Sequence, residues 1–144
     1  MGYAEESLQR IRMAGMLHDI GKIGIEDSVL RKPGKLTDDE FEQIKLHPVR
    51  GFEILKGIRP FRNILPAVRQ HHEWWDGHGY PDGLKGEAIP RDAPVLAVAD
   101  AFDAMTCNRP YRKGMPIERV PRILAEGRGT RWASDVVDEL LLCC

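Results

Sequence analysis

The sequence contains no apolar run long enough to cross a bilayer, which excludes a membrane-spanning helix. Cysteine is scarce: Cys107, Cys143 and Cys144 are the only three, and their spacing fits neither a zinc site nor a redox motif. An excess of one charge is also missing, since the formal net charge of −1 gives no overall attraction to a nucleic acid polymer. We therefore expect a cytoplasmic protein with reduced thiols, no membrane insertion and no polymeric nucleic acid partner.

The sequence also lacks strand-type alternation and internal repeats. Its apolar residues recur instead at steps of three and four, which is the spacing of amphipathic helices. With 42% hydrophobic and 30% charged residues, a chain of 144 residues can bury one core of ordinary size. No linker divides the chain, so we predict a single all-α domain over residues 1–144.

Several short patterns predict where helices begin and end. Thr37-Asp38-Asp39-Glu40 has the form of a capping box. Asp92 is predicted to cap the longest apolar helix, and Ser134 is predicted to cap the last helix. The apolar spacing before His18 places this histidine on the inward face of the first helix. Residues 73–91 are rich in glycine and predict an irregular loop.

One carboxylate stands in an almost wholly apolar helical segment, Val95-Leu96-Ala97-Val98-Ala99-Asp100-Ala101-Phe102. A carboxylate in such a setting is unfavourable unless it is paired or binds a cation. Asp103 follows three residues later on the same face and adds a second negative charge nearby. Two interpretations of Asp100 stay open: an ordinary buried ion pair with an arginine, or a ligand to a metal ion.

Histidines supply most of the other candidate ligands. His18 and Asp19, at the end of the first helix, can place an imidazole nitrogen and a carboxylate oxygen on one ion, and the second carboxylate oxygen can bridge to another ion. His47 lies just before a proline, and His71 and His72 end a further helix. A set of imidazoles and carboxylates suits Fe or Mn, with Zn as an alternative. Together with the helical aspartate, these residues are enough for a two-metal centre.

The chain carries two segments of distinctive composition, His18-Asp19-Ile20-Gly21-Lys22 and the longer His71-His72-Glu73-Trp74-Trp75-Asp76-Gly77-His78-Gly79-Tyr80-Pro81. Together they resemble the HD-GYP family of metal-dependent phosphodiesterases, which open the bacterial second messenger cyclic di-GMP. The resemblance implies an HD-type helical bundle around two divalent metal ions. Fe or Mn is the expected metal, with Zn, Ni or Mg as alternatives. The metal ligands that it implies are His18, Asp19, His47, His71, His72 and Asp100.

The resemblance also assigns roles around these ligands. Asp19 would serve catalysis as the bridging carboxylate, and Lys22 would face the substrate phosphate and take part in catalysis. The tight turn at Gly79-Tyr80-Pro81 would shape the substrate cleft or a partner surface. Contacts to the nucleotide and its phosphates would come from Asp103, Arg109 and Arg112.

Other residues in these segments have more than one interpretation. Trp74 and Trp75 can stack on a guanine, or they can pack the loop onto the core. His78 is predicted to be a loop residue and not a ligand. The remaining basic residues between Asn108 and Arg131 are interpreted as a solvated face.

The chain departs from the family pattern in two places. Members usually have an earlier helix that supplies a further metal ligand, whereas no histidine precedes His18 here. Either the domain is an N-terminally truncated fragment, or one metal is short of a protein ligand. Trp132-Ala133-Ser134 replaces the usual Phe-Asp-Pro, which we interpret as a surface detail, with a looser last helix as the alternative.

The function predicted from the resemblance is hydrolysis of cyclic di-GMP to pGpG, GMP or both. The alternative is a catalytically impaired module that binds the nucleotide or a GGDEF-domain protein without turnover. A third interpretation, a general HD phosphohydrolase acting on another nucleotide, is disfavoured by the paired histidines and by Gly79-Tyr80-Pro81. A homodimer is a further assembly compatible with the family.

Overall fold

The computed structural model describes residues 4–108 and 113–143. Within these ranges the chain forms α-helices and no strand beyond an isolated bridge between Arg128 and Trp132, so the all-α prediction is confirmed. The helices are α1 (Glu5–Leu17), α2 (Asp27–Leu30), α3 (Asp38–Lys45), α4 (His47–Leu55), α5 (Leu65–Gln70), α6 (Asp92–Thr106), α7 (Val120–Glu126) and α8 (Ser134–Leu142). Short 3₁₀ turns occupy Ile20–Gly24, Arg59–Ile64, Gly86–Ala88 and Ile117–Arg119. None of the helices described has both the length and the apolar character needed to cross a membrane.

The start of α3 follows the capping box predicted from the sequence. The Thr37 side chain accepts a hydrogen bond from the Glu40 N–H at 3.3 Å, and the Glu40 carboxylate accepts one from the Thr37 N–H at 2.7 Å. The predicted caps at Asp92 and Ser134 are wrong, because each is already the first residue inside its helix. The Asp92 carboxylate instead accepts a hydrogen bond from Arg10 Nε at 3.1 Å and so ties α6 to α1.

Two clusters of buried side chains hold the helices together. One lies among α1, α4, α5 and α6 and contains Ala14, Leu55, Ile64, Ala67, Val68 and Leu96. The other lies among α6, α7 and α8 and contains Val98, Val120, Leu124, Trp132, Ala133, Val136 and Val137. Because α6 contributes to both clusters, its position is fixed from two sides. Asp100 follows directly on this doubly packed part of the helix.

The 3₁₀ turn after α1 is in close contact with α4. A Cβ atom added to Gly21 would lie 2.5 Å from the Gly51 amide nitrogen and 2.8 Å from the His47 carbonyl carbon. Real Cβ atoms do not come closer than 3.0 Å to such atoms, so only glycine fits at position 21. This close approach of two backbones brings the Asp19 segment next to His47.

Candidate metal centre

Three histidines stand at helix ends and are oriented in the same way. His18 follows α1, His47 begins α4, and His71 follows α5. The Nδ1 atom of each donates a hydrogen bond to the backbone carbonyl three residues earlier, at 2.7, 2.7 and 2.8 Å respectively. Since a carbonyl only accepts, Nδ1 carries the proton and Nε2 is the atom left for the cluster. Histidines that bind metals usually fix their second nitrogen in this way.

His47 and His71 face each other through their Nε2 atoms, which are 3.3 Å apart. Both side chains are buried, and with Nδ1 protonated neither Nε2 has a proton to share. Two imidazole nitrogens bound at about 2.0–2.1 Å to one ion would stand roughly 3.0–3.4 Å apart. Their separation therefore matches two ligands of a single metal ion. His72 completes this group, in which all ligand atoms lie within 4.8 Å of one another.

The Asp19 carboxylate lies between two of the histidines. Its Oδ1 atom is 3.4 Å from His47 Nε2, and its Oδ2 atom is 3.5 Å from His18 Nε2. The same Oδ2 accepts a hydrogen bond from Lys22 Nζ at 2.6 Å. His18, Asp19 and His71 form a second group with ligand atoms within 4.8 Å. Each carboxylate oxygen faces a different histidine, and the bridging role of Asp19 stays a prediction.

Asp100 completes the cluster from α6. Its Oδ1 atom is 3.7 Å from His18 Nε2, and the nearest Asp19 oxygen is 3.5 Å from the same nitrogen. Neither carboxylate forms a hydrogen bond with this nitrogen. His18 Nε2 is consequently buried without a hydrogen-bond partner, which is unfavourable for a polar atom. A divalent cation would satisfy this nitrogen and both carboxylates, so the donor set fits a metal. No arginine in the described part of the chain pairs with Asp100, which leaves its ion-pair interpretation without support.

At four of the six candidate ligands the electrostatics favour the protonation state that binds a metal. Burial lowers the pKa of His47, His71 and His72, and the pKa of His72 falls to about 3. Burial also acts to lower the pKa of His18, but the carboxylates of Asp100 and Asp19 outweigh it and raise this pKa. Burial alone would raise the pKa of Asp100, whereas the neighbouring imidazoles outweigh it and lower this pKa to about 2. Three neutral imidazoles and an ionised carboxylate are ready to bind a cation.

The loop after the paired histidines is held by a buried carboxylate. Glu73 is 4% exposed, and its two oxygens accept hydrogen bonds from the backbone N–H groups of Asp82, at 2.7 Å, and Leu84, at 3.0 Å. Gly79 packs against the start of the same loop, because a Cβ atom there would lie 2.6 Å from the Glu73 carbonyl carbon. Sequence reasoning gave Glu73 no role. The available signal was a carboxylate next to two apolar tryptophans, Trp74 and Trp75.

Tyr80 lies directly against one of the candidate ligands. Its ring stacks on His72 with centroids 4.9 Å apart, and its N–H donates a hydrogen bond to the His72 carbonyl at 3.2 Å. Burial raises the pKa of Tyr80, and the Asp100 carboxylate adds to this, so the phenol stays protonated. The Tyr80–Pro81 peptide bond is cis. Gly79 and Tyr80 thus lie beside the cluster, and their part in a substrate cleft stays a prediction.

A cavity of about 270 Å³ opens beside the cluster. Besides four of the candidate ligands, its wall includes Lys22, Trp74, Tyr80 and Arg131. Lys22 lines the cavity beside the candidate ligands, and its contact with a substrate phosphate stays a prediction. Arg131, which was interpreted from the sequence as part of a solvated face, is exposed and also lines the cavity.

Among the described residues, Asp103, Trp75 and His78 do not line this cavity. Asp103 is exposed. His78 is an exposed loop residue that pairs with a neighbouring aspartate, in agreement with the prediction that it is not a ligand. Trp75 packs against the cluster of α6, α7 and α8, as the core interpretation requires. Arg109 and Arg112 lie outside the described residues.

Comparison with known proteins places this geometry in context. A family profile described as "HD domain" matches residues 1–136. The chain is 49% identical over 144 residues to a cyclic di-GMP phosphodiesterase response regulator of Xanthomonas campestris pv. campestris, covering 98% of this chain and 38% of that protein. It is 38% identical over 144 residues to a 3′3′-cGAMP-specific phosphodiesterase of Vibrio cholerae, covering 97% of this chain and 27% of that protein. The chain therefore spans well under half the length of these relatives.

A solved structure has the same fold. An HDG"Y"P protein from Bdellovibrio bacteriovorus superimposes with a TM-score of 0.76, covering 96% of this chain and 44% of that chain. The two sequences are 19% identical, so this likeness concerns the fold.

Proposed function

The chain belongs to the HD domain family, whose profile covers residues 1–136, and from this membership we propose that it is a metal-dependent phosphodiesterase that hydrolyses cyclic di-GMP. The resemblance to the HD-GYP family is confirmed by the same comparisons. One observation carries the proposal: all six candidate ligands, from four separate segments, meet beside one cavity. These are His18, Asp19, His47, His71, His72 and Asp100.

We propose two divalent ions in this cluster, with Asp19 as the bridge. The candidate ligands are imidazoles and carboxylates, with no thiolate among them, which favours Fe or Mn over structural Zn. Zn, Ni and Mg remain the alternatives. When bound, the ions would polarise the phosphodiester and stabilise the negative charge that develops on its oxygens.

The chain's own groups would bind and orient the substrate. Lys22 Nζ, 2.6 Å from Asp19 Oδ2, places a positive charge at the edge of the cluster, where it can donate to a phosphate oxygen as charge builds up in the transition state. The protonated Tyr80 phenol lines the same cavity and can donate a hydrogen bond to the substrate. The buried side of the cluster, formed by His47 and His71, excludes water from behind the reacting phosphate.

Cyclic di-GMP is the favoured substrate because the relative named for it is 49% identical, against 38% for the relative named for 3′3′-cGAMP. The product would be pGpG, GMP or both. The alternative is a catalytically impaired module that binds the nucleotide or a GGDEF-domain protein. That alternative and a homodimer rest on the family resemblance.

Anaerobic purification followed by elemental and product analysis tests this function. We expect bound Fe or Mn, and conversion of cyclic di-GMP faster than conversion of 3′3′-cGAMP at equal concentration. A metal content near one ion per chain would fit a single occupied position, and a content near two ions per chain would fit the bridged pair. Protein that contains no metal and takes up none on reconstitution would contradict the proposal. Metal-loaded protein that binds cyclic di-GMP without cleaving it would favour the binding module.

A further inference from the structure

Arg131 is a second cation in the cavity wall, separate from Lys22. Its guanidinium carbon lies 4.9 Å from the ring centre of Trp74 and 5.2 Å from that of Trp132. No carboxylate in residues 4–108 and 113–143 forms an ion pair with it. Arg128, only three residues earlier, instead binds Asp138 through two nitrogens at 2.6 Å each. Among the residues that the structure describes, Arg131 is therefore a cation with aromatic neighbours and no anionic partner.

The backbone around Arg131 is tied to the loop that follows the paired histidines. The Arg131 carbonyl accepts a hydrogen bond from the Trp75 N–H at 3.3 Å, and the Thr130 carbonyl accepts one from the Asp76 N–H at 2.8 Å. The Arg131 N–H donates to the Gly127 carbonyl at 2.9 Å. These bonds fix the backbone of Arg131 relative to the loop that follows the paired histidines, and a fixed backbone reduces the entropy lost when the side chain binds a ligand.

The chemistry of this position suits a phosphate. A guanidinium presents a planar fork of N–H donors that matches phosphate oxygens, and aromatic rings stabilise it through its flat face, which leaves donors at its edge for a ligand. A cyclic dinucleotide carries two phosphodiesters, and only one of them can lie at the metal centre at a time. The other phosphodiester lies away from the metal centre, where a second cation in the cavity wall can bind it.

Building on the proposed function, we propose that Arg131 binds the phosphodiester that is not being cleaved, while Lys22 serves the one at the metal centre. The two cations line one cavity but come from distant parts of the chain, the turn after α1 and the turn before α8. The ligand class is thus a nucleotide with two separated phosphodiesters.

The test compares Arg131→Gln with Arg128→Gln, which removes the same charge from the same turn outside the cavity. Titration calorimetry on metal-loaded protein uses a phosphorothioate analogue of cyclic di-GMP that resists hydrolysis, so that it measures affinity without turnover. Hydrolysis of bis(p-nitrophenyl) phosphate, which has a single phosphodiester, measures the metal centre alone.

We expect Arg131→Gln to weaken cyclic di-GMP binding roughly ten- to a hundredfold, which is the effect of losing a charge-assisted contact. Hydrolysis of the small substrate should be unaffected. Arg131→Lys should recover part of the affinity, because it keeps the charge but loses the fork.

Each other outcome has a definite meaning. Equal affinity in wild type and Arg131→Gln overturns the inference, and so does an equal loss in Arg128→Gln. A lower melting temperature with unchanged affinity would make Arg131 a purely structural contact of the two tryptophans. Wild-type protein that cleaves neither substrate but binds cyclic di-GMP contradicts the proposed function, while the affinity comparison still decides on Arg131. Wild-type protein that does not bind cyclic di-GMP overturns the Arg131 assignment as well.

Discussion

Replacement of Gly21 by alanine should damage the metal centre more than it damages the fold. The added Cβ would stand 2.5 Å from the Gly51 nitrogen, where real contacts stay beyond 3.0 Å, and it would be closer still to the His47 carbonyl oxygen. The 3₁₀ turn and α4 must therefore separate by about 1 Å, a displacement that in an active site can cost on the order of a hundredfold in rate. Asp19 and His47 lie on opposite sides of this gap.

The expected losses of stability and of metal binding follow from the displacement of the 3₁₀ turn from α4. Overpacking of this kind typically costs about 1–3 kcal/mol of unfolding free energy, which a domain can survive. The Asp19 Oδ1 to His47 Nε2 distance of 3.4 Å leaves little room for a further shift before the two groups no longer reach a common ion. We expect metal content and turnover to fall severely in protein that still folds.

Urea denaturation, elemental analysis and turnover of cyclic di-GMP measure these three effects on one preparation. Gly24→Ala is the matched control, because a Cβ there meets the flexible Arg50 side chain at 3.2 Å, which can move aside. If Gly21→Ala matches Gly24→Ala in stability, metal content and turnover, the close backbone contact does not position the site.

The remaining predictions concern single side chains. Asp19→Ala should remove both metal and activity while the far-ultraviolet circular dichroism stays helical, and full metal retention would show that Asp19 is not the bridge. Lys22→Ala should leave metal content near wild type and lower turnover about ten- to a hundredfold, whereas Arg109→Ala should act more on KM. Wild-type kinetics in both would refute these phosphate roles. Glu73→Ala should lower the free energy of unfolding by about 1–3 kcal/mol for each backbone N–H left without its acceptor, and an unchanged urea midpoint would contradict this.

The features that sequence reasoning found are those encoded over a few neighbouring residues. The capping box of Thr37 and Glu40 needs only four positions, and the structure has both of its hydrogen bonds. His18 is recognisable because a histidine and an aspartate follow directly on an amphipathic helix, and Asp100 because a carboxylate interrupts an apolar one. Asp103 shows the limit of such local rules. An i+3 residue on a helix lies roughly 60° around the axis, which was enough to turn Asp103 to solvent while Asp100 faces the cluster.

The features that sequence reasoning missed depend on contacts between distant segments. Arg131 looked like one basic residue among many, and only the folded chain brings it to Trp74 in the wall of the cavity. The requirement for glycine at position 21 comes from the backbone of α4, which no pattern near Gly21 reveals. Asp92 was predicted to cap α6, because nothing near it in the sequence reveals that its carboxylate pairs with Arg10 of α1.

The distribution of the candidate ligands along the chain has a consequence for folding. His18, His47, His71 and Asp100 belong to four segments, so ions bound among them would close several long loops at once, as a set of crosslinks does. Binding to the folded chain alone adds to its stability, by about 2.7 kcal/mol when the free metal is at a hundred times its dissociation constant. The metal-loaded chain would then resist denaturation and proteolysis better than the metal-free chain.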